Sequence, residues 1–265
     1  MPDLRTWLSE VDNLGQLTTV EDVHWDLELS TLTEIINERS KTRPAILFDR
    51  IKDYAQGYRV AANLVSSTGR LALTLGMDSG LSDIDFIQAW RRQVKKIVPV
   101  AAETISSGPL FENIRRGKDI DVLAFPVPRW HELDGGRYIG TDDLVITRDP
   151  EEGWVNVGTY RIMVHGPDRL ALHMSPGKHG RVHKDKHHAL GKPLPIAVSF
   201  GHHPINFVVA STDVPNRVNE YDYAGGILGK PLQVIKGPLT GLPIPAVAEI
   251  AIEGELGVSD VMPEG

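Results

Sequence analysis

The amino-acid sequence predicts a mixed α+β fold, in which a small N-terminal α/β unit (residues 1–115) precedes a larger β-rich unit (residues 116–265). In the first unit, helical and strand patterns alternate, which is typical of an α/β arrangement. After residues 125–128 the chain changes to short apolar runs separated by Gly, Pro and Asp. Several short strands at such spacing favour a barrel or a sandwich.

Three helices and one strand are predicted in the first unit. Asp3 is a suitable N-cap for a first helix, and Gly15 is a suitable stop for it. A second helix is expected to begin near Ser30, and a third to span residues 82–98. Residues 45–48 form an apolar run that predicts a buried strand. The apolar stripe of the third helix, which predicts core packing, comprises Phe86, Ile87, Trp90, Val94 and Ile97.

Five runs in the second unit have the length and apolar content of strands. In the last run, Ala248, Ile250 and Ile252 occupy alternate positions, as in a half-buried strand. The five runs cover residues 154–164, 170–174, 195–200, 205–210 and 247–252.

Composition limits the classes of function. The chain has 265 residues, is 41% hydrophobic and 24% charged, and has a net charge of −7. This balance disfavours a nucleic-acid-binding protein, which needs a basic surface. The absence of cysteine excludes disulfides and thiolate metal sites. The N-terminus lacks the apolar core of a signal peptide, and no run approaches the roughly 20 apolar residues that span a bilayer. We therefore expect a soluble, cytoplasmic protein without nucleic-acid or membrane partners.

The densest polar stretch, residues 178–188, carries four Lys or Arg residues and four of the ten histidines. Cations and imidazoles suit a phosphate or a metal, and a solvated basic loop is an equal alternative. His179, His183 and His187 would share one face of a helix. Gly177 and Gly180 argue against a regular helix at the start of the stretch, so the spacing is only weak evidence for zinc.

Two further segments carry candidate ligands. Asn156 and Arg161 lie on one β-like run, where the Arg fork suits a carboxylate; an edge strand with a surface Arg is the simpler alternative. Glu220 and Asp222 precede Gly225-Gly226, whose glycines predict a turn. Two acids suit a divalent cation, although a solvated glutamate is the more common outcome.

Four motifs follow one another along the chain: DGGRYIGT at residues 134–141, NVGTYR at 156–161, SPGKHGR at 175–181 and NEYDYAGG at 219–226. Their order and spacing resemble the UbiD decarboxylase family. The first predicted helix and the closing Pro263-Glu264-Gly265 are also similar to that family, so the resemblance covers essentially the whole chain.

The resemblance implies a split-barrel domain that binds prenylated FMN through a divalent metal, usually Mn²⁺, with K⁺ nearby. By motif, the metal ligands fall on Asn156, His179 and Glu220, and oxygen ligands with one imidazole suit Mn²⁺ or Mg²⁺. The implied cofactor-binding residues are Thr141, Asn156, Val157, Gly158, Thr159, Tyr160, Arg161, Lys178, His179, Ser211 and Glu220.

The resemblance also implies a reaction, the reversible non-oxidative decarboxylation of an aromatic or heteroaromatic (α,β-unsaturated) acid. Arg161 falls on the arginine that orients the substrate carboxylate, and Glu264 falls on the glutamate that pairs with it. The cofactor carries the chemistry, and the protein supplies position and charge. The motif wording resembles the branch that acts on hydroxybenzoates and heteroaromatic acids. CO₂, a flavin prenyltransferase as cofactor source, and homo-oligomeric association of the full-length protein are implied as well.

Two departures from the family pattern stand out. In the family, an acidic proton donor follows shortly after Pro-Glu-Gly, and a C-terminal domain closes the site; the sequence stops at Gly265 before either. We therefore expect a fragment that binds the cofactor without turning over at a normal rate. Asp142-Asp143 stands where many relatives have a smaller first residue, a difference that bears on the local loop.

Three alternatives stay open. A split-barrel FMN reductase would suit the β-rich unit, and it would use unmodified FMN and a nicotinamide without Mn²⁺. A non-catalytic module would need a C-terminal partner, whose addition should restore activity. A zinc hydrolase built on the histidine stretch lacks a helical zinc-binding signature.

Overall fold

The structure, a computed structural model, describes residues 3–215 and 218–263. The N-terminal unit places helices around one three-stranded sheet. Its elements are α1 (Leu4–Asn13), β1 (Leu17–Glu21), α2 (Glu28–Arg39), β2 (Ala45–Asp49), β3 (Val60–Ala62), α3 (Thr68–Thr74) and α4 (Asp83–Gln93), followed by a 3₁₀ turn at Val94–Lys96.

Strand β2 lies at the centre of this sheet, parallel to β1 and antiparallel to β3. Successive side chains of a strand point to opposite faces. Ala45 accordingly packs with Trp7 of α1, whereas Ile46 and Phe48 pack in a second cluster with Leu29 of α2. The sheet is thus buried on both faces, as the apolar run at residues 45–48 predicted.

The helix predictions for this unit are confirmed in position, with shifted ends. The Asp3 carboxylate accepts a 2.7 Å hydrogen bond from the amide of Thr6, so it caps α1. Helix α2 begins at Glu28, two residues before Ser30. The predicted core stripe of α4 was wrong for Ile87, which is 55% exposed although Phe86 is buried.

The second unit is rich in short strands, as predicted, and its described residues also contain three α-helices. Strand β4 (Glu103–Ile105) precedes this unit in sequence and joins one of its sheets. The elements of the unit are β5 (Arg137–Gly140), β6 (Leu144–Arg148), β7 (Val155–Gly158), β8 (Ile162–Val164), β9 (Leu170–Leu172), α5 (His179–Ala189), β10 (Leu194–Phe200), α6 (Pro204–Ala210), α7 (Glu220–Leu228), β11 (Gln233–Lys236), β12 (Pro243–Pro245) and β13 (Ile250–Leu256).

The strands of the second unit form three sheets. An antiparallel four-stranded sheet has the order β13-β10-β6-β7, which leaves β7 at an edge. The sheet β5-β8-β9 is antiparallel throughout. In the third sheet, β11 is antiparallel to β12 and parallel to β4. The largest hydrophobic cluster joins Ile146 and Val157 of the four-stranded sheet to Ile205 of α6 and Tyr221 of α7.

The predicted boundary at residue 115 stays a prediction, but the structure adds an observation about it. Strand β4 lies before that boundary in sequence and pairs with β11 of the β-rich unit.

None of the helices in the described ranges has the length and apolar content needed to cross a bilayer.

Two strand predictions were wrong. Residues 205–210 belong to helix α6, because Pro204 at its first position has a φ suited to a helix and the His203 ring accepts a hydrogen bond from the amide of Ile205. Residues 154–164 form two strands, β7 and β8, separated by residues 159–161. The remaining three predicted strands are confirmed as β9, β10 and β13, with ends shifted by at most four residues.

Two helices replace a predicted loop and a predicted turn. The basic stretch forms α5, with Gly180 inside it, and Gly225 and Gly226 lie inside α7. A Cβ atom at Gly225 would lie 2.6 Å from the carbonyl oxygen of Val100, and one at Gly226 would lie 2.5 Å from that of Val98. These glycines therefore permit close packing of a helix on an extended segment, and they do not mark a turn.

Candidate functional site

The start of helix α7 is bound to edge strand β7. The Glu220 carboxylate accepts a 2.9 Å hydrogen bond from the amide of Val157, and the Asn219 side chain donates to the carbonyl of Val155 at 3.3 Å. Asn219 also caps α7 by accepting from the amide of Tyr221 at 2.8 Å. An edge strand leaves backbone groups without sheet partners, and here the helix start supplies those partners.

Glu220 is a buried acid, contrary to the expectation of a solvated glutamate, and is 6% exposed. Burial raises the pKa of Glu220 to about 7, and the hydrogen bond from Val157 acts in the opposite direction. A nearby cation would favour the ionised carboxylate. The group is therefore suited to bind a positive charge.

Asn156 lies in the middle of β7 and is 3% exposed. Its side-chain nitrogen has no hydrogen-bond partner in the part of the chain that the structure describes. Asn156 pairs across the sheet with Thr147 of β6, and Thr147 is hydrogen-bonded to His183 of α5 at 2.9 Å. Helix α5 therefore packs on the face of the sheet that carries Asn156.

Tyr160 joins the NVGTYR motif to the SPGKHGR motif. Its hydroxyl accepts a 3.1 Å hydrogen bond from the amide of Gly180 in the first turn of α5. Burial raises the pKa of Tyr160, so the side chain is a neutral phenol. A Cβ atom at Gly158 would lie 2.6 Å from the Tyr160 ring, and one at Gly180 would lie 2.8 Å from its oxygen. Both glycines are therefore required by the same tyrosine.

His179 is the first residue of α5, and its side chain is exposed. Its ring meets the Trp154 ring edge to face, with centroids 4.8 Å apart. His183, one turn later, meets the same indole at 5.2 Å. Burial lowers the pKa of His183 to about 4, so its imidazole is neutral. Of the three histidines predicted to share a helix face, His179 and His183 both contact Trp154.

The structure brings three of the four motifs to one place. Val157 contacts Glu220, Tyr160 contacts Gly180, and Trp154, two positions before the second motif, contacts His179. Within the described ranges, no three His, Cys, Asp or Glu side chains are arranged to hold a metal ion, so His179, His183 and His187 form no zinc site. The implied set of Asn156, His179 and Glu220 differs because one of its ligands is an amide.

The other implied residues lie at different places. Arg161 is exposed, with its guanidinium carbon 5.8 Å from the centre of the Tyr138 ring. Lys178 is exposed at the N-cap of α5, and the Ser211 hydroxyl donates to Val208 at the end of its own helix. Glu264 lies outside the described residues.

Asp143 is a buried acid and Asp142 a half-buried one, and the sequence reasoning gave neither a role. Burial raises the pKa of Asp143 to about 8, with the Asp142 carboxyl adding to the rise, and burial raises that of Asp142 to about 7. Neither oxygen of Asp143 has a hydrogen-bond partner in the described ranges. Asp143 packs against Gly140, where a Cβ atom would lie 2.9 Å from the carboxyl carbon. The sequence carries no signal of this burial, because charged residues usually predict solvent.

A cavity of about 370 Å³ lies between the two units. Its walls include Leu8 of α1, residues 125–128, and Asp142 and His202 of the β-rich unit. Burial lowers the pKa of His202 to about 3, so it is a neutral imidazole. Of the implied cofactor residues in the described ranges, Thr141 alone lines this cavity. The cavity is therefore distinct from the place where β7, α5 and α7 meet, which we call the junction of β7, α5 and α7.

Two family descriptions match the chain. Residues 103–265 match UbiD, the 3-octaprenyl-4-hydroxybenzoate carboxy-lyase Rift-related domain. Residues 8–90 match the N-terminal domain of the same carboxy-lyase.

Curated relatives include named decarboxylases. Pyrrole-2-carboxylic acid decarboxylase of Pseudomonas aeruginosa is 32% identical over 271 residues, which cover 99% of this chain and 54% of the relative. A phenolic acid decarboxylase of Sedimentibacter hydroxybenzoicus is 35% identical over 263 residues, which cover 96% and 54%. The chain therefore spans about half the length of the curated relatives it matches.

Solved structures with the same fold include two enzymes. Vanillic acid decarboxylase of Sedimentibacter hydroxybenzoicus, in its closed form, matches with a TM-score of 0.89 at 34% identity, over 96% of this chain and 55% of that one. An evolved dimeric form of the UbiD-class enzyme HmfF from Pelotomaculum thermopropionicum, in complex with prFMN, matches with a TM-score of 0.88 at 29% identity, over 99% and 59%.

Proposed function

The chain belongs to the UbiD family, and on that premise we propose that it is the cofactor-binding portion of an enzyme for the reversible non-oxidative decarboxylation of an aromatic or heteroaromatic acid. The observation that carries the proposal is the junction of β7, α5 and α7. The hydrogen bonds Val157–Glu220 and Gly180–Tyr160 assemble three motifs that are far apart in sequence. Decarboxylases among the relatives support the reaction class.

Asn156, His179 and Glu220 are the proposed ligands of a divalent metal that links the protein to the phosphate of prenylated FMN, with K⁺ nearby. The residues fit this role. Asn156 is a buried amide whose side-chain oxygen is a suitable hard ligand, and Glu220 is a buried acid whose charge a cation would stabilise. Two oxygen ligands and one imidazole suit Mn²⁺. The exposed Lys178 adds positive charge at the start of α5, where a helix end favours phosphate.

The rest of the cofactor site is proposed to follow the same segments. A split-barrel arrangement of the β-rich unit would expose them to one ligand. The proposed lining residues are Thr141, Asn156, Val157, Gly158, Thr159, Tyr160, Arg161, Lys178, His179, Ser211 and Glu220.

Arg161 is proposed to orient the substrate carboxylate, because its planar fork can donate to both oxygens. Its guanidinium lies near the Tyr138 ring, which limits the directions that the fork can take. Glu264 is proposed to pair with Arg161, so that the cation holds this carboxyl in its ionised form. Prenylated FMN, when bound, would supply the electron sink that takes up the bonding electrons as CO₂ leaves. The protein supplies the orientation of the acid and the placement of charge.

The relatives narrow the proposed substrate to a class. Those named above act on pyrrole-2-carboxylic, phenolic and vanillic acids according to their names, and a hydroxybenzoate or heteroaromatic acid is proposed here. A flavin prenyltransferase as cofactor source, homo-oligomeric association and a cytoplasmic location stay predictions. A metal-independent FMN reductase is the alternative that the binding experiment below distinguishes.

The test is to titrate the chain with prenylated FMN, with and without Mn²⁺, and to follow bound cofactor by absorbance and native mass spectrometry. We expect Mn²⁺-dependent binding that His179→Ala abolishes. His131→Ala, which removes another exposed histidine far along the chain, is the matched control and should bind normally. Equal binding of unmodified FMN without metal, unaffected by His179→Ala, would instead favour the reductase.

A further inference from the structure

His179 occupies a position where its side chain has little local support. It is the first residue of α5, it is exposed, and the preceding Lys178 provides no side-chain cap. Gly177, with a φ of +84°, gives the approach to the helix additional backbone freedom. An exposed side chain in a first helical turn samples several rotamers unless a neighbour selects one.

Trp154 is that neighbour. Its indole contacts two imidazoles of α5, those of His179 and His183, which are one helical turn apart. The interplanar angles are 83° and 88°, so both contacts are edge to face, a favoured geometry for aromatic pairs. The indole therefore contacts helix α5 through two side chains.

The second of these imidazoles is fixed to the core. His183 is 1% exposed, and its Nδ1 lies 2.9 Å from the hydroxyl oxygen of Thr147, which is fully buried in β6. Thr147 pairs across the sheet with Asn156. A continuous set of contacts thus runs from the strand pair that carries Asn156, through His183 and Trp154, to His179.

We infer that Trp154 is a positioning residue, which holds the His179 imidazole in the orientation needed for the proposed metal site, with His183 as its anchor. The inference rests on the proposed function for the identity of the ligand, and on the ring geometry for the role of Trp154. Substitution of a neighbour that orients a ligating side chain commonly lowers metal affinity by tenfold or more.

The indole nitrogen supports a role beyond core packing. A buried Trp usually has a hydrogen-bond partner for its N–H. The nitrogen of Trp154 is buried and has no such partner in the described ranges. In this orientation the ring makes the two histidine contacts, while its N–H makes no hydrogen bond within the described residues.

The experiment compares Trp154→Leu with Trp154→Phe, which keeps an aromatic ring. Trp130→Leu is the matched control, because Trp130 is partly buried, also has an unpartnered nitrogen, and lies beside the interdomain cavity. The first readout is the order of the His179 ring in the metal-free chain, from NMR relaxation of ¹³C-labelled imidazole. The second is Mn²⁺ affinity, from an EPR titration with the metal alone.

We expect Trp154→Leu to mobilise the His179 ring and to weaken Mn²⁺ binding about tenfold. Trp154→Phe should stay near the wild type in both readouts, and Trp130→Leu should change neither. An equally ordered His179 ring in Trp154→Leu would overturn the inference. If Trp154→Leu does not fold, His183→Leu removes the anchor instead, and the same loss of ring order is required. Failure of the wild-type chain to bind Mn²⁺ would refute the proposed metal site, whereas the ring order would still decide the role of Trp154.

Discussion

The amide of Val157 donates a 2.9 Å hydrogen bond to the carboxylate of Glu220, which ties an edge strand to the first turn of a helix 63 residues later in the chain. Glu220 thereby has a structural role in addition to the proposed metal-binding role. Substitutions that separate charge from hydrogen bonding distinguish the two.

Glu220→Gln should preserve the fold and lose metal affinity. The amide oxygen of Gln can still accept from Val157, but the negative charge of a proposed ligand is gone. We therefore expect Mn²⁺ to bind at least about 10 to 100 times more weakly, the loss typical when only a neighbour of a ligand is changed. Glu220→Leu should also lower the free energy of unfolding by about 1–3 kcal/mol, because the Val157 amide loses its acceptor. Mn²⁺ titration and urea denaturation separate these effects. Equal Mn²⁺ affinity of Glu220→Gln and wild type would contradict the assignment.

Asp143 should make the protein less stable as the pH rises. Burial raises its pKa in the folded state to about 8, from 3.8. The folded state therefore binds this proton more tightly than the unfolded state, and stability is lost between about pH 4 and pH 8. Asp143→Asn, which is neutral throughout, should remove a loss of several kcal/mol across that range.

Denaturant midpoints at pH 5 and pH 8 measure this effect. The exposed Asp168→Asn is the control and should keep the wild-type pH dependence. An unchanged slope in Asp143→Asn would show that the Asp143 carboxyl is solvated in the folded protein.

Gly180→Ala should destabilise the junction even though alanine favours helices. The added Cβ would lie 2.8 Å from the Tyr160 oxygen, which is held in a buried position. Overpacking of this kind costs about 1–3 kcal/mol, more than the gain in helix propensity of about 1 kcal/mol. Thermal unfolding should show a lower midpoint. Gly254→Ala, where a Cβ atom meets nothing within 4 Å, should leave the midpoint nearly unchanged.

Gly225→Ala should be destabilising for a different reason. Its Cβ would approach the carbonyl oxygen of Val100 to 2.6 Å, and a backbone atom cannot rotate away as a side chain can. We expect helix α7 to shift outward, with a loss of about 1–3 kcal/mol. Amide hydrogen exchange at Val100, whose N–H donates to Asp222, should accelerate. Wild-type exchange at this amide would mean that the segment accommodates the methyl group.

Features set by neighbouring residues in sequence were predictable. The cap at Asp3 and the strand at residues 45–48 follow from local patterns, and both are confirmed. The motif resemblance also identified the family, because it depends on residue identity and spacing. The roles assigned to Asn156, His179 and Glu220 stay predictions, although the structure brings their segments together.

Features set by packing between distant segments were not predictable. Gly180 and Gly225 were interpreted as helix breakers, because the sequence does not show that Tyr160 and Val100 occupy the space beside them. The contacts of His179 and His183 with Trp154 were missed for the same reason, since they require residues 179–183 to be helical. The burial of Asp143 depends on its contact with Gly140 and on the pairing of β5 with β8, which the sequence does not show.

The pairing of β4 with β11 decides where the β-rich half can be separated from the rest. Before β4, the amide of Val100 already donates to Asp222, and that of Ala102 donates to the Asp222 carboxylate. A shortened chain that starts at residue 116 would lose these hydrogen bonds and the pairing of β4 with β11. Strand β11 would then have an open edge, which promotes aggregation. Recombinant production of the β-rich half should therefore begin before residue 98, and limited proteolysis should cut more readily within residues 112–121 than within residues 98–105.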